Sequence, residues 1–447
     1  PGGDFYDYAD KYLDHEAKLL LATLNRLEGQ DLPMRRAQLI HELLGEMGMD
    51  DLAGLLPESD RQLEDLHSLL EFPAEEVAAQ LEAEAEEAEK VGESAQKASD
   101  VLLEPLDTEI AVTPYDIVYE EDRVKLKHYK PTVDVQLKRP LLVVYALINR
   151  ETMLDLQPGR SVVQNFLQDG IDVYMIDWGY PARKDKYLTI DDHVNGYMDN
   201  IVNFILDKHN LDKIHLMGIC MGGTFCVIYS ALHPEKIKTL VTTVTPTNFD
   251  TDQGLLHIWM RDMDTDHIVD TYGNIPGDIM NLGFLLLNPA RLMIDKYVGF
   301  IENMANKKFV ENFVRMEKWI FDSPDVPGET FRQFIKDCYQ KNLLIKSKME
   351  VGGKRVNLKN ITMPLLNYYG RYDHLVPPEA CELLTSKVGS KDVEDVLLDT
   401  GHIGIAVNNH NTTNLVLAEQ SGNLQQFGVW RRGQHVPALQ LKNGGDI

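Results

Sequence analysis

Cysteine, basic charge and long apolar runs are all scarce in this chain of 447 residues. The sequence contains no run of 18 or more apolar residues, so we expect no helix that spans a bilayer. Its first residues have neither the basic start nor the apolar stretch of a secretory signal. The four cysteines form no CxxC pair, which argues against a disulfide framework or a zinc site and favours a reducing, cytoplasmic setting.

Negative charge is concentrated at one end of the chain. The net charge is −26, and residues 1–110 hold 28 acidic against 8 basic residues, which leaves only −6 for the other 337 residues. No basic patch is present of the kind that nucleic acid requires, so we expect no nucleic-acid partner. The nearly balanced remainder is compatible with an anionic ligand such as coenzyme A.

The composition and periodicity of the sequence predict four regions. Residues 1–105 are an acidic helical region, in which short amphipathic helices precede a run rich in Ala and Glu. Residues 106–250 and 346–407 alternate strand-like and helical segments and form the predicted core. Residues 251–345, rich in aromatic residues and Met, are either a cap inserted over the core or a plain helical subdomain. Residues 408–447 form an atypical tail without helical periodicity.

The alternation predicts an α/β fold with a mostly parallel sheet and helices on both faces. A hairpin is predicted at Ile117–Tyr119 and Val124–Tyr129. The further predicted strands are Leu141–Ile148, Ile171–Trp178, Lys213–Ile219, Thr239–Val244, Pro364–Tyr369 and Val393–Leu398. The predicted helices of the core are Ser161–Gln168, Asp192–His209, Met221–Leu232 and Pro378–Lys387.

The segment Gly218-Ile219-Cys220-Met221-Gly222-Gly223 lies at a strand-to-helix junction. This is the position of the G-x-S-x-G nucleophile elbow of α/β-hydrolases, with Cys220 in place of serine. The start of the following helix would lie beside the sulfur and favour its thiolate form. Cys226, Cys338 and Cys381 lack such a setting and are predicted to be buried structural residues.

Two further segments supply partners for Cys220 in the chain order expected of this fold. Asp373 follows a predicted strand, where the acid is expected, and His402 follows the next strand, where the histidine is expected. His402 would take the thiol proton, and Asp373 would orient His402 or stabilise its positive charge. His374 is a candidate for a site role or, alternatively, for a structural hydrogen bond.

An oxyanion hole is expected from the backbone N–H of Met221 and a second N–H after the strand at Leu141–Ile148. Ile148 is the candidate for this second donor, with Leu147 and Asn149 left as alternatives. Three aspartates at 262, 264 and 266 imitate the start of a calcium loop, but the later positions do not fit. No metal and no dinucleotide- or phosphate-binding loop is predicted.

From about Ala95 to Val407, the sequence resembles the catalytic subunit of class III polyhydroxyalkanoate synthases. The resemblance rests on several motifs. They are YALINR (Tyr145–Arg150), LDLQPGRSVV (Leu154–Val163), DVYMIDWGYP (Asp172–Pro181), the DDH of Asp191–His193, GICMGG, GRYDHLVPP (Gly370–Pro378) and the GHIGI that begins at Gly401.

The resemblance implies an acyltransferase that polymerises short-chain (R)-3-hydroxyacyl-CoA into polyester without a cofactor, and 3-hydroxybutyryl-CoA is the expected substrate. It implies that Cys220 carries the growing chain as a thioester, that His402 activates the thiol, and that Asp373 helps to activate the attacking 3-hydroxyl. It also implies a non-catalytic second subunit of the PhaE kind, a homodimer or higher oligomer, and residence at the surface of cytoplasmic polymer granules.

Two other functions remain open on the sequence. A cysteine thioesterase or hydrolase of the same fold would release free hydroxy acid instead of polymer. A granule-associated scaffold would carry an inactive hydrolase fold, although no member of the predicted triad is missing.

Overall fold

The structure is a computed structural model. It describes residues 97, 101, 105–134, 137–404, 415–416, 428–431 and 434–437. Nearly all of the predicted helical region of residues 1–105 and most of the tail of residues 408–447 therefore lie outside the described residues. Contacts within the chain separate one unit, Glu109–Ile294 with Arg315–Ile447, from a second that comprises Pro1–Thr108 and Asp295–Val314.

An eight-stranded sheet in the order β1-β2-β6-β3-β7-β8-β11-β12 forms the centre of the first unit. β1 and β2 make an antiparallel hairpin, β2 pairs antiparallel with β6, and all other neighbours are parallel. The strands in chain order are β1 (Tyr115–Glu121), β2 (Val124–Tyr129), β3 (Leu141–Val144), β4 (Asp155–Gln157), β5 (Arg160–Ser161), β6 (Val173–Asp177), β7 (Ile214–Ile219), β8 (Ile237–Thr243), β9 (Glu350–Val351), β10 (Lys354–Arg355), β11 (Leu365–Gly370), β12 (Val393–Leu398), β13 (Leu415–Val416), β14 (Gly428–Arg431) and β15 (Gln434–Pro437).

Burial explains why the central strands are nearly continuous apolar runs. Every residue of β3, β6, β7 and β11 is buried, as expected for parallel strands covered on both faces. β12 at the edge alternates buried with more accessible residues, which is the pattern of a strand covered on one face.

Helices follow or separate many of the strands along the chain and form most of residues 251–345. They are α1 (Val162–Gln168), α2 (Asp199–His209), α3 (Met221–Leu232), α4 (Leu255–Arg261), α5 (Thr265–Tyr272), α6 (Gly277–Leu285), α7 (Lys296–Glu302), α8 (Lys307–Phe321), α9 (Gly328–Gln333), α10 (Pro378–Cys381) and α11 (Leu384–Lys387). α3 is almost wholly buried and packs on β7 and β8. No helix within the described ranges is long and apolar enough to cross a bilayer.

The predicted fold class, a mostly parallel α/β sheet with helices, is confirmed, and so is the opening hairpin. Three predicted elements differ from the structure, one in extent, one in helix type and one in continuity. The strand at Leu141–Ile148 ends at Val144, because the buried residues that follow line a loop instead of continuing the sheet. The helix at Asp192–His209 opens with a π-helical stretch, Asp192–Met198, and that at Pro378–Lys387 divides into α10 and α11.

Candidate active site

Cys220 stands alone between the end of β7 and the start of α3. Its backbone has φ +53° and ψ −126°, a conformation that is strained for any residue with a side chain. Two hydrogen bonds fix this turn. The N–H of Cys220 donates to the carbonyl of Thr243 at 3.0 Å, and its carbonyl accepts from the N–H of Thr224 at 3.2 Å. The strain therefore has the form expected of a nucleophile elbow.

Two glycines allow the elbow to pack against the neighbouring strand ends. A Cβ on Gly222 would lie 2.4 Å from the carbonyl oxygens of Val144 and Tyr145, and one on Gly223 would lie 1.9 Å from the hydroxyl of Thr245. Neither position tolerates a side chain. The first turn of α3 is thereby held against the ends of β3 and β8.

Asp373 and His402 meet at the same edge of the sheet. Asp373 follows β11 and His402 follows β12, and His402 Nδ1 lies 2.6 Å from Asp373 Oδ2. The other oxygen, Oδ1, accepts from the N–H groups of Leu375 at 2.9 Å and Val376 at 2.8 Å. The Asp373 side chain is fully buried. With Nδ1 turned to the acid, Nε2 is the ring nitrogen left for the predicted transfer of the Cys220 proton, a role that stays a prediction.

The charge around His402 favours its protonated form. Burial alone would lower the pKa of His402, but the carboxylate of Asp373 and then the sulfur of Cys220 raise this pKa well above its usual range. Asp373 also forms a hydrogen bond to the imidazole. An imidazolium between a carboxylate and a sulfur is the arrangement that activates a cysteine nucleophile.

The other three cysteines have a different setting. Cys226, Cys338 and Cys381 are buried, whereas Cys220 is partly accessible. Burial raises the pKa of all three buried thiols, well above the usual range for Cys226 and Cys381. They are therefore held as neutral thiols near neutral pH.

Comparisons with known proteins agree with this geometry. A family model described as "alpha/beta hydrolase fold" matches residues 139–408, and one described as "Poly-beta-hydroxybutyrate polymerase (PhaC) N-terminus" matches residues 75–166. The chain is 48% identical over 297 residues to poly(3-hydroxyalkanoate) polymerase subunit PhaC of Thiocystis violacea, covering 66% of this chain and 84% of that protein. It is 48% identical to the PhaC subunit of Allochromatium vinosum, covering 68% and 86%.

The chain belongs to the PhaC family of poly(3-hydroxyalkanoate) polymerase subunits. A third relative, the PhaC subunit of Synechocystis sp., is 46% identical and covers 67% of this chain and 82% of that protein. The family assignment confirms the expected resemblance to class III PhaC, the α/β-hydrolase fold and the enzyme class of a poly(3-hydroxyalkanoate) polymerase.

The two predicted oxyanion donors lie on segments that the PhaC fold brings together. Met221 is the first residue of α3, and Ile148 lies in the loop that follows β3. Because Gly222 abuts the carbonyls of Val144 and Tyr145, this loop runs beside the elbow. The role of either N–H stays a prediction.

His374 lies beside the acid, at the accessible surface of the same turn. Partial enclosure of its ring lowers its pKa, and the nearest charges are those of Asp373, His402 and Arg291. An uncharged imidazole at this position has the chemistry to bind a substrate, but its role stays a prediction.

Sequence reasoning missed three side chains near the predicted triad. Tyr145 and Tyr339 are buried, and their pKa values are raised by burial first and then by the charge of Cys220. His257 of α4 is buried too, and neither of its ring nitrogens has a hydrogen-bond partner. Burial, and after it Arg261, lower the pKa of His257 to about 4, against the smaller opposite effect of Asp373. No motif marks these three residues.

In the segment that imitates a calcium loop, Asp264 and Asp266 have structural roles. The Asp264 side chain accepts from the N–H of His267 and caps α5, while Asp266 pairs with Lys336 at 2.5 Å and with Arg332. Within the described residues, no group of three or more His, Cys, Asp or Glu side chains is arranged to hold a metal ion.

Proposed function

We propose that this chain polymerises (R)-3-hydroxyacyl-CoA, with 3-hydroxybutyryl-CoA as the preferred substrate, through a thioester on Cys220. The observation that carries the proposal is the strained cysteine at the elbow together with the 2.6 Å bond between His402 and Asp373. The related proteins, named as poly(3-hydroxyalkanoate) polymerase subunits, support the same reaction class.

Acyl loading begins when the sulfur of Cys220 attacks the thioester carbonyl of the substrate. The thiol proton passes to His402, the bond from the acyl carbon to the CoA sulfur breaks, and His402 returns the proton to CoA. One thioester replaces another, so this step is nearly balanced in energy. The N–H groups of Met221 and Ile148 would stabilise the oxyanion of the intermediate.

Elongation joins a 3-hydroxyl to the acyl group on Cys220. His402 takes the hydroxyl proton of the next 3-hydroxyacyl-CoA, an ester bond forms, the bond from the acyl carbon to the sulfur of Cys220 breaks, and the sulfur recovers the proton from His402. The lengthened chain is then a CoA thioester, which returns to Cys220 by the loading step. Asp373 would assist this step through His402, because the carboxylate is fully buried and both its oxygens are engaged. An alcohol is a weaker acid than a thiol, so elongation depends more than loading on the basicity of His402.

Polymer forms only if an alcohol outcompetes water at the acyl-enzyme. The residues behind the predicted triad are apolar and tightly packed. Phe249 and Tyr339 have ring centroids 4.7 Å apart, and Phe334 lies against both. This enclosure would exclude water and favour transfer over hydrolysis.

Exposed apolar side chains support the expectation that the protein binds partners. The expected partners are a PhaE-like second subunit, further copies of the chain, and the surface of a polymer granule. α6 exposes Ile279 and Leu282, and Leu286, which caps its C-terminal end, is exposed too; their spacing of three and four residues places them on one face. An apolar face of this kind is typical of an interaction surface. The acidic region of residues 1–105 would serve such interactions as well.

The test is to incubate the protein with 3-hydroxybutyryl-CoA and to follow CoA release by chromatography and polymer by turbidity. We expect both signals from the wild type and neither from Cys220→Ala. The matched control Cys226→Ala removes a buried thiol and should retain both. CoA release with free 3-hydroxybutyrate and no turbidity would identify a thioesterase, and no CoA release would indicate a scaffold.

A further inference from the structure

The loop between β3 and the 3₁₀ turn Glu151–Leu154 is the segment that contains Ile148. At its start, the indole N–H of Trp178 donates to the carbonyl of Tyr145 at 3.0 Å. The same carbonyl faces Gly222 of the elbow. The start of the loop is therefore fixed from the side of the sheet.

The far end of the loop is fixed by buried ion pairs that involve sheet residues. Arg150 Nη2 lies 3.0 Å from Asp177 at the end of β6, and Lys127 of β2 pairs with Glu151 at 2.5 Å. Lys127 and Glu151 are each only 4% exposed at the side chain. Breaking a buried pair of this kind leaves an uncompensated charge, so residues 150 and 151 have little freedom to move.

Two side chains of the 251–345 region also contact the loop, one at Asn149 and one at Arg150. Ser323 Oγ lies 2.7 Å from Asn149 Oδ1, the nearest of three acceptors for its single hydrogen; the others are the carbonyl of Ile320 at 2.9 Å and Asn281 Oδ1 at 3.2 Å. The indole N–H of Trp319 donates to the carbonyl of Arg150 at 2.8 Å. Trp319 is buried near the end of α8, and Ser323 follows that helix. The two residues thus bond to neighbouring positions of the loop.

Asn149 has a left-handed backbone with φ +59°. This conformation is uncommon outside glycine, although Asn tolerates it better than most residues, and it persists where surrounding contacts determine it. The bond from Ser323 is such a contact. It ties the side chain of Asn149, the residue after Ile148, to the segment that follows α8.

We infer that Ser323 and Trp319 are positioning residues that hold the Ile148–Asn149 segment in the shape required to donate an N–H to the oxyanion. The inference rests on the proposed function, because it assumes an acyl intermediate on Cys220. Oxyanion donors stabilise a transition state only when they are held within a fraction of an ångström. Part of the catalytic geometry is then supplied by the region inserted between β8 and β9.

The experiment compares two reactions of Cys220 that differ in their need for an oxyanion hole. Acylation by 3-hydroxybutyryl-CoA or by p-nitrophenyl acetate passes through a tetrahedral oxyanion, whereas alkylation by iodoacetamide does not. Both can be followed by mass spectrometry of the intact protein. The variants are Ser323→Ala, which removes the hydroxyl, and Trp319→Phe, which keeps a ring but removes the N–H. Ser323→Thr keeps the hydroxyl.

We expect Ser323→Ala and Trp319→Phe to slow acylation by either donor about 10- to 100-fold, because misplaced catalytic groups lose rates of this order. Alkylation should stay within about twofold of wild type, and Ser323→Thr should recover most of the acylation rate. The matched control is Thr330→Val, which removes a buried hydroxyl that donates to the carbonyl of Leu188, away from the loop. It should leave both reactions unchanged.

Equal loss of acylation and alkylation would mean that the two residues merely maintain the fold and would overturn the inference. Unchanged acylation in both variants would overturn it as well. If the wild type reacted with p-nitrophenyl acetate but not with 3-hydroxybutyryl-CoA, the proposed function would fail. The comparison of variants with p-nitrophenyl acetate would still decide the role of Ser323 and Trp319.

Discussion

Gly222 faces the carbonyl of Tyr145 so closely that a Cβ on the glycine would lie 2.4 Å from that oxygen. The contact joins the helix after the nucleophile to the loop after β3. Both partners are backbone, so neither can turn aside to make room for a side chain.

Gly222→Ala should therefore damage the site, while alanine at an open glycine should not. We expect Gly222→Ala to slow acylation of Cys220 at least about 100-fold and to lower the free energy of unfolding by about 1–3 kcal/mol through overpacking. A Cβ on Gly283 of α6 would have no neighbouring atom within 4 Å, so Gly283→Ala should stabilise the protein by up to about 1 kcal/mol. Urea unfolding and mass spectrometry measure both effects. A fully active Gly222→Ala enzyme would contradict the packing described above.

Alkylation should distinguish Cys220 from the other cysteines. At pH 7 we expect iodoacetamide to label Cys220 at least about 100 times faster than Cys226, Cys338 or Cys381, because those three thiols are buried and their pKa values are raised. Peptide mapping after timed labelling gives the four rates. In denaturant the rates should converge. Preferential labelling of a buried cysteine in the native protein would argue against Cys220 as the nucleophile.

Substitution of the base and of the acid should affect different steps. His402→Gln should reduce acyl loading to below about 1% of wild type, because general-base assistance contributes a factor of this size. Asp373→Asn should load more readily than it elongates, since deprotonating an alcohol depends more strongly on the basicity of His402. Radiolabelled substrate followed by rapid isolation of the protein reveals trapped acyl-enzyme. If both variants lost acyl loading equally, Asp373 would only orient His402 and would have no separate part in elongation.

The buried His257 should make the protein sensitive to acid. Its pKa is lowered to about 4 in the folded state, from an ordinary value of 6.5. A depressed folded pKa gives a contribution to stability that is full above pH 6.5 and is lost as the pH falls toward 4. His257→Phe keeps an aromatic ring between Phe249 and Tyr339 and should remove up to about 3 kcal/mol of this loss.

Urea unfolding of wild type and His257→Phe at pH 7.5 and pH 5 measures the difference. Some acid sensitivity should remain in the variant, because His193 and His215 are also buried with pKa values lowered to about 4. Parallel stability curves for the two proteins would show that His257 does not titrate in this way.

The strands of the sheet are well predicted, because the residues that mark their ends lie next to them in the sequence. Val393–Leu398 and Met221–Leu232 have the bounds that the pattern predicts, since turn residues or the elbow glycines mark their ends. The pairing of Asp373 with His402 also follows from the pattern, because the carboxyl ends of neighbouring parallel strands meet at one edge of the sheet.

Other parts of the site could not be predicted from periodicity. The run Leu141–Ile148 is apolar throughout, but hydrophobicity does not distinguish a buried strand from a buried loop, so the turn away from the sheet at Tyr145 was missed. Tyr339 and His257 reach the site through tertiary packing of α4 and the segment Phe334–Gln340. Their positions depend on contacts between residues that are distant in the sequence.

The turn that carries Asp373 orients the carboxylate by itself. Oδ1 is bonded to the N–H groups of the second and third residues that follow, so the acid is aimed by its own stretch of chain and not by the histidine. Deleting the imidazole of His402 would leave a preset anion beside an empty space of the size of the ring. Free imidazole added from solution would find the carboxylate of Asp373 already oriented to bind it. It could therefore take the place of the missing His402 ring.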